Sequence, residues 1–321
     1  MKIPCILIAL QIICCTPSIR AQEVKPELFA PGIISGPVND AAPAFTPDGK
    51  TVFFHRGSTA IGAIMLVSYW QNGKWSMPDI APFSGQWQDI EPAMAPDGSY
   101  LIFSSNRPAS SGGKAIDGDW SGNHFPARGG NLWRVNRIGD TWGEPQRLPD
   151  IINSGNATFS PAITADGSLY FMKPVAGTGK FHIYHSTFHN GQYEHPVPVS
   201  FSAPDSLSDV DPAIAPDESF LVFSSSRSPV KGQLFIVFRA NGQWGTPVNM
   251  GEEVNRSTYN NEAKLSPDHR RLYFASSYGQ AASYPTDPQS AKRKLEESVW
   301  DTGASNIWSV PLDKWLNNKK N

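Results

Sequence analysis

Short apolar runs, each preceded by a polar turn, recur along the whole chain. The turns follow the pattern Pro-Asp-Gly or a close variant of it, and the runs after them are Val52–Phe54, Leu101–Phe103, Leu169–Phe171, Leu221–Phe223 and Leu272–Phe274. In such a turn proline presets φ, aspartate bonds back to the backbone and glycine tolerates positive φ. Each phrase therefore predicts a β-hairpin.

The spacing of these turns predicts the fold. The turn aspartates are Asp48, Asp97, Asp166, Asp217 and Asp268, at intervals of 49, 69, 51 and 51 residues. A second hairpin follows in each of the first four repeats, as with Ile64–Val67 and its turn Asn72-Gly-Lys-Trp75. Four strands at a period near 50 residues are typical of a propeller blade. We predict an all-β protein with one β-propeller domain, residues 22–321, of five four-stranded blades. Six blades is the alternative count, and a β-sandwich is disfavoured because five two-hairpin units are hard to place in two sheets.

The two ends of the chain are predicted to close the ring. The last repeat stops after its third strand, Asn306–Leu312, whereas Phe29–Ser35 precedes the first repeat with nothing to pair with. The N-terminal strand should complete the last blade, which leaves no exposed edge between the first blade and the last.

Residues 1–21 have the pattern of a cleavable signal peptide. Lys2 is followed by an apolar stretch to about Cys15, and Ala21 provides a small residue at the predicted cleavage point. All three cysteines, Cys5, Cys14 and Cys15, lie in this segment, so the mature chain would hold no disulfide. We expect a periplasmic or secreted protein; a lipoprotein is the alternative that the Cys14-Cys15 pair suggests.

Charge and hydropathy argue against nucleic-acid binding and against a transmembrane helix in the mature chain. Removal of Lys2 and Arg20 leaves 25 basic and 29 acidic side chains, a net charge of about −4. That balance gives no reason to expect nucleic-acid binding. No later segment approaches the roughly 20 apolar residues of a transmembrane helix, so none is expected in the mature chain.

Residues beyond the hairpin turns carry a family resemblance. The sequences Phe103-Ser-Ser-Asn-Arg107 and Phe223-Ser-Ser-Ser-Arg227 follow two of the turns, and Asn131-Leu-Trp133 and Asn306-Ile-Trp308 come later in their repeats. Over residues 29–315 the chain resembles the WD-like repeat of TolB-type β-propellers. The resemblance implies an exported propeller that binds a protein or a component of the cell envelope.

Charged residues are predicted to surround one end of the central channel, here named the upper mouth. If strand A of each blade begins there, strand B ends there. Acids near the start of strand A are Asp40, Asp89, Glu91, Asp209, Asp211 and Glu262; bases at the end of strand B are Arg56, Arg107, Lys173 and Arg227. In one hypothesis these groups pair as a structural clasp. In the other they bind a polar ligand, since carboxylates accept sugar hydroxyls and arginine offers a planar fork of donors.

A few further side chains complete the candidate site. Trp87, Trp120 and Trp300 fall on upper loops and could stack on a ligand, and His182 is predicted to face the upper end. No metal site is predicted, because His182 and His185 are three residues apart on a strand and point to opposite faces. No cofactor is predicted either.

The sequence is compatible with two functions. The leading hypothesis is a non-enzymatic, exported propeller that binds a protein partner or an envelope glycan through its upper face. The alternative is a carbohydrate-active enzyme resembling a glycoside hydrolase. Such an enzyme needs two carboxylates across the scissile bond, and Glu91 and Asp211 are the candidate catalytic pair.

Overall fold

The computed structural model describes residues 25–58, 62–230, 232–257, 259–278, 285–297 and 303–318. The predicted signal peptide (residues 1–21) and Trp300 lie outside the described residues, so both stay predictions.

Five antiparallel sheets form the blades of a propeller, and strand A of each blade is innermost. The first blade contains β2 (Asn39–Phe45), β3 (Thr51–Ser58), β4 (Gly62–Gln71) and β6 (Asp79–Ile80), with a short ribbon strand β5 (Lys74–Trp75). The second contains β7 (Asp89–Met94), β8 (Tyr100–Ser105), β11 (Asn131–Ile138), β12 (Thr141–Trp142) and β13 (Gln146–Arg147). Its insertion forms a separate hairpin of β9 (Gly118–Trp120) and β10 (Asn123–Phe125).

The other three blades repeat this plan. The third contains β14 (Phe159–Ile163), β15 (Leu169–Pro174), β16 (Phe181–Ser186) and β19 (Val197–Pro198), with the ribbon β17 (Phe188–His189) and β18 (Gln192–Tyr193). The fourth contains β20 (Asp209–Ile214), β21 (Phe220–Ser225), β22 (Gln233–Ala240), β23 (Gln243–Trp244) and β24 (Val248–Asn249). The fifth contains β25 (Asn260–Leu265), β26 (Arg271–Ser276) and β27 (Asn306–Pro311). The prediction of five blades is confirmed.

The N-terminal strand closes the fifth blade, as predicted, but earlier in the chain than expected. Strand β1 (Glu27–Leu28) pairs with β27, and the Phe29 N–H donates to the Ile307 carbonyl at 2.9 Å. The prediction that the strand spans Phe29–Ser35 was wrong in its bounds. Ala30 and Gly32 have positive φ values of 44° and 76°, which turn the chain before it can continue along β27.

The turn between strands A and B shows why aspartate recurs there. In every blade its carboxylate accepts the backbone N–H two residues further on, from Lys50, Ser99, Ser168, Ser219 and Arg270. Two turns lack the usual glycine, yet Glu218 and His269 adopt the same left-handed φ of 56°. The turn geometry therefore survives the departures in sequence.

The hydrophobic core lies between blades rather than within them. It divides into five clusters, and each joins residues of two neighbouring blades. The cluster between the fifth and first blades contains Ile34, Phe45 and Tyr273, with Phe29 and Trp75 packed against it. Each blade is therefore packed against both of its neighbours around the ring.

Two helices lie outside the blades, α1 (Pro288–Glu297) and α2 (Asp313–Asn318). Among the described residues, no helix combines the length and apolar character needed to cross a membrane.

Replacement of Phe29 by alanine tests the closure. The Phe29 ring lies 5.0 Å from Tyr273 and 5.7 Å from Phe45, centroid to centroid. We expect Phe29→Ala to lower the free energy of unfolding by about 3 kcal/mol, since it opens a cavity at the joint between the first and last blades. Urea denaturation measures the change.

The matched control is Met77→Ala, which truncates a side chain that is 70% exposed and should change stability by less than about 0.5 kcal/mol. Deletion of residues 22–36 should abolish cooperative unfolding altogether. A deleted protein that unfolds in one sharp transition would contradict closure by this segment.

Candidate ligand-binding site at the upper channel mouth

A bulge in strand A positions the residues of the upper mouth. In the second blade Ile90 pairs with Ser104 and Ala93 pairs with Ile102, so that two residues of β7 lie opposite one of β8. The same shift occurs in all five blades. The first bulged residue has a left-handed φ each time: Ala42 (52°), Glu91 (56°), Ser160 (49°), Asp211 (56°) and Glu262 (53°). A bulge redirects a side chain, and here it does so five times around one axis.

Hydrogen bonds link these bulges from blade to blade. The Ser160 N–H donates to the Glu91 carboxylate at 2.7 Å, and the Ser160 hydroxyl donates to Asp211 at 2.7 Å. The Glu262 N–H donates to the other oxygen of Asp211 at 3.0 Å. We name Glu91, Ser160, Asp211 and Glu262 the bulge ring. The carboxylates of Glu91 and Asp211 satisfy backbone N–H groups that would otherwise be buried without a partner.

His55 closes the bulge ring through the first blade. Its Nδ1 accepts the Glu91 N–H at 3.2 Å, and its Nε2 lies 3.6 Å from Glu262 Oε2. Because Nδ1 is an acceptor, a neutral His55 carries its proton on Nε2. Burial lowers the pKa of His55 to about 4, so its imidazole is neutral at physiological pH.

Burial also controls the protonation of the carboxylates. It raises the pKa of Glu262 to about 8, with the nearby Asp211 charge adding to the shift. Burial and the charges of Glu262 and Asp211 raise the pKa of Glu91 to about 7. Like charges held close together cannot all ionise at neutral pH, so these carboxyl groups share protons.

Lys264 lies beneath the carboxylates and fills the channel. The four equivalent positions hold alanine: Ala44, Ala93, Ala162 and Ala213. The Lys264 Nζ crosses the axis to donate to the Pro161 carbonyl at 3.1 Å. Four small side chains thus make room for a single ammonium group, which separates the upper mouth from the lower one.

The other acids of the predicted site form clasps. Asp40 pairs with Arg56 at 2.6 Å, Asp89 with Arg107 at 2.7 Å and Asp209 with Arg227 at 2.5 Å. Each aspartate side chain is fully buried, and each guanidinium also donates to a backbone carbonyl of the preceding segment, at Ile34, Phe83 or Phe201. A clasp therefore ties strand A, strand B and the incoming loop of its blade together.

The third and fifth blades replace the clasp with weaker links. Lys173 Nζ donates to the Ser154 hydroxyl at 2.6 Å, and the Ser276 hydroxyl donates to Asn260 at 2.8 Å. The predicted charged mouth thus separates into two layers: the outer clasps, and the inner carboxylates Glu91, Asp211 and Glu262, to which no Arg–carboxylate ion pair is assigned among the described residues.

Two cavities open at the ends of the channel, and their chemistry differs. The upper one, about 490 Å³, is lined by Glu91, Asp211 and Glu262 together with Tyr259 and Phe181. The lower one, about 130 Å³, is lined mainly by proline and alanine, such as Pro47, Pro216 and Ala44. The lower cavity offers polar ligands only Lys264 and His269, whereas carboxyl groups converge in the upper one.

The remaining predicted side chains lie at different depths. Trp120 is in β9, where its ring stacks on Phe125 at 4.4 Å. Trp87 is half-buried beside Gln88, whose N–H donates to Asn106. His182 is 4% exposed; its Nδ1 lies 3.9 Å from Asp205, and its Nε2 has no hydrogen-bond partner within the described ranges. In those same ranges no group of three or more His, Cys, Asp or Glu side chains is arranged to hold a metal ion.

Sequence reasoning missed His55, Ser160 and Lys264. Each is a single departure from a repeated phrase: His55 stands where the second and fourth repeats have Ser104 and Ser224, and Lys264 replaces the alanine of Pro-Ala. A residue that breaks a repeat at a channel-facing position was the available signal.

Comparison with known proteins gives fold-level likeness only. No protein-family model and no curated protein sequence matches the chain. Among solved structures it is similar to a protein of unknown function from Dyadobacter fermentans (TM-score 0.49, 15% identity, 80% of each chain covered). It is also similar to a protein of Agrobacterium tumefaciens described as a TolB (TM-score 0.48, 17% identity, 78% of this chain and 74% of that one).

A third similar structure is TolB of Acinetobacter baumannii (TM-score 0.41, 18% identity), for which the match covers 65% of this chain and 43% of that one. The chain thus matches less than half the length of that TolB. At such identities the likeness concerns the fold, and the function has to be inferred from the site.

A buried clasp should contribute more to the free energy of unfolding than an exposed ion pair does. Asp209→Asn leaves the Arg227 guanidinium beside a neutral amide in a buried setting, so we expect a loss of about 3 kcal/mol in the free energy of unfolding. The control is Asp313→Asn, which breaks the exposed pair with Arg270 and should cost less than about 1 kcal/mol. Equal effects in denaturant titrations would show that the clasp contributes nothing beyond a surface ion pair.

The buried carboxyl groups predict how stability changes with pH. Between pH 6.5 and 8 the folded protein retains protons on Glu91 and Glu262, whereas unfolded glutamate is already ionised. The folded state binds more protons, so the free energy of unfolding should fall as pH rises. His55 acts in the opposite sense near and below pH 6.5, where the unfolded imidazole holds its proton, and so does Lys264, because burial lowers its pKa.

Glu262→Gln removes one of these protons and should flatten that slope, by on the order of 1 kcal/mol across the window. The exposed Glu144→Gln is the control and should leave it unchanged. Urea titrations at pH 6.5 and pH 8 measure both. A Glu262→Gln variant whose stability changes with pH as steeply as that of the wild type would rule out a protonated Glu262 in the folded protein.

Proposed function

We propose that this chain is an exported, non-enzymatic propeller that binds an envelope glycan in the upper cavity. The observation that carries the proposal is the polar lining of that cavity: three carboxyl groups, Glu91, Asp211 and Glu262, converge there from three blades. Export is inferred from the pattern of residues 1–21 alone.

The cavity has the chemistry that sugar recognition needs. Carboxylates accept hydrogen bonds from hydroxyl groups, and carboxylic acids can donate them. Ser206 and Asn261 add polar groups to the lining, while the rings of Phe181 and Tyr259 provide flat apolar surface. Tyr259 is 56% exposed at the rim. A concave site with a few convergent polar groups is typical of small-ligand recognition.

Concavity also favours a glycan over a protein partner. A protein interface generally buries about 800 Å² on each side, whereas the carboxyl groups here lie at the bottom of a cavity. Only a narrow group from a partner could reach them. Binding of a protein across the whole upper face is therefore the outcome to be distinguished by experiment.

The glycoside hydrolase alternative has one observation in its favour. Burial raises the pKa of Glu91 to about 7, as a general acid requires. Against it, both suspected catalytic carboxylates already accept hydrogen bonds from Ser160, which lies between them. Groups held in this way fasten neighbouring blades, so we place binding before catalysis.

Isothermal titration of residues 22–321 with chitobiose, a neutral disaccharide, tests the proposal. We expect binding without release of reducing sugar, and Tyr259→Ala should weaken it about tenfold by removing one wall of the cavity. The control is Tyr69→Ala, an exposed tyrosine in β4, which should have no effect.

Hydrolysis of chitohexaose that disappears in Glu91→Gln would replace the proposal with the enzyme. Failure to bind any saccharide, combined with capture of one envelope protein that Tyr259→Ala abolishes, would replace the glycan with a protein partner.

A further inference from the structure

We propose that the ligand is an extended oligosaccharide, and that a second subsite for it lies under the inserted hairpin β9–β10. This inference rests on the proposed function and names the class of glycan: a neutral or cationic chain of several sugar units rather than a single sugar.

The hairpin is fixed in place rather than projecting freely. The Ser121 hydroxyl donates to the Gly179 carbonyl at 2.9 Å, which joins the insertion of the second blade to the loop between β15 and β16 of the third. Gly179 has a left-handed φ of 66°, and a Cβ at that position would overlap Ser121. This close approach therefore requires glycine.

A cavity of about 570 Å³ lies between the hairpin and that loop. One wall is formed by Asp119, Trp120, Asn123 and His124, and the other by the segment 174–177 with Gly179. Trp120, whose ring stacks on Phe125, thus lines this wall together with Asn123, Asp119 and His124. The Asp119 carboxylate accepts hydrogen bonds from His124 at 2.8 Å and from Asn156 at 2.6 Å, so the wall is held in place by its own polar contacts. Aromatic edges beside polar groups are a combination that a sugar ring uses.

The two cavities adjoin each other. Gly179 lines the hairpin cavity, whereas the next two residues, Lys180 and Phe181, line the upper cavity. The rings of Trp120 and Phe181 are 5.9 Å apart, one on each side of the boundary. A ligand that leaves the upper cavity past Phe181 therefore meets Trp120 directly, which makes one continuous chain the simplest occupant of both.

Charge selects among glycans. The acidic side chains of the two cavities are Glu91, Asp119, Asp211 and Glu262, and the basic ones are Lys180 and His124. His124 is itself engaged by Asp119 at 2.8 Å. An anionic chain such as an oligouronate would add negative charge beside carboxyl groups that already share protons because they cannot all ionise, whereas neutral or amino sugars would not.

Comparison of chitobiose with chitohexaose by isothermal titration tests the inference. Wild-type protein should bind the hexamer at least about tenfold more tightly than the dimer, because the second subsite is engaged intramolecularly. His124→Ala should remove this preference without changing dimer affinity. The matched control is His195→Ala, an exposed histidine of the third blade outside both cavities, which should retain the preference.

Trp120→Ala is a second variant that should also remove the preference for the hexamer. A melting curve like that of the wild type would show that this variant has folded. Equal affinity for dimer and hexamer, with Tyr259→Ala still harmful, would overturn the second subsite and leave the proposed function standing. Absence of binding to either would overturn both. Tighter binding of hexagalacturonate than of chitohexaose would overturn the charge selection.

Discussion

The left-handed bulge in strand A is the constraint on which the rest of this structure depends. It occurs at Ala42, Glu91, Ser160, Asp211 and Glu262. A residue with positive φ turns its N–H toward the neighbouring blade, and a buried N–H must find an acceptor. In three blades that acceptor is a side chain of the blade before it. Since the hydrophobic clusters also lie between blades, the ring is assembled by its joints, both polar and apolar.

The same hydrogen bonds give the upper mouth its chemistry. Clasped aspartates such as Asp209 have an arginine and remain structural. Glu91 and Asp211 have backbone and hydroxyl donors instead, and Glu262 Oε2 has no hydrogen-bond partner among the described residues. Burial therefore acts on these groups with little compensation and raises the pKa values of Glu91 and Glu262. Lys264 provides one positive charge below them. Groups that fasten the blades therefore also form the floor of the upper cavity, whereas the proline- and alanine-lined lower mouth offers a polar ligand few partners.

The sequence predicted the blades well because each repeat carries its own turn chemistry, and it predicted closure because one end lacked a strand that the other end had in excess. The sequence could not show which acidic side chains form clasps and which face the channel. By strict alternation Asp209 and Asp211 would share a face of β20, but the bulge that begins at Asp211 directs its side chain to the channel, while Asp209 forms a clasp. His55 and Lys264 were not recognised as site residues because each occurs once, and a search for repeats favours residues that recur. The adjoining cavities depend on how the hairpin packs on the third blade, which no local pattern encodes.

If the upper cavity holds a sugar against the bulge carboxylates, a crystal structure of residues 22–321 with chitohexaose should show it there. We expect continuous density that begins over Glu262 and Tyr259, passes Phe181 and reaches Trp120. Density confined to the lower mouth or the outer edges of the blades, with the upper cavity holding only water at saturating ligand, would contradict it.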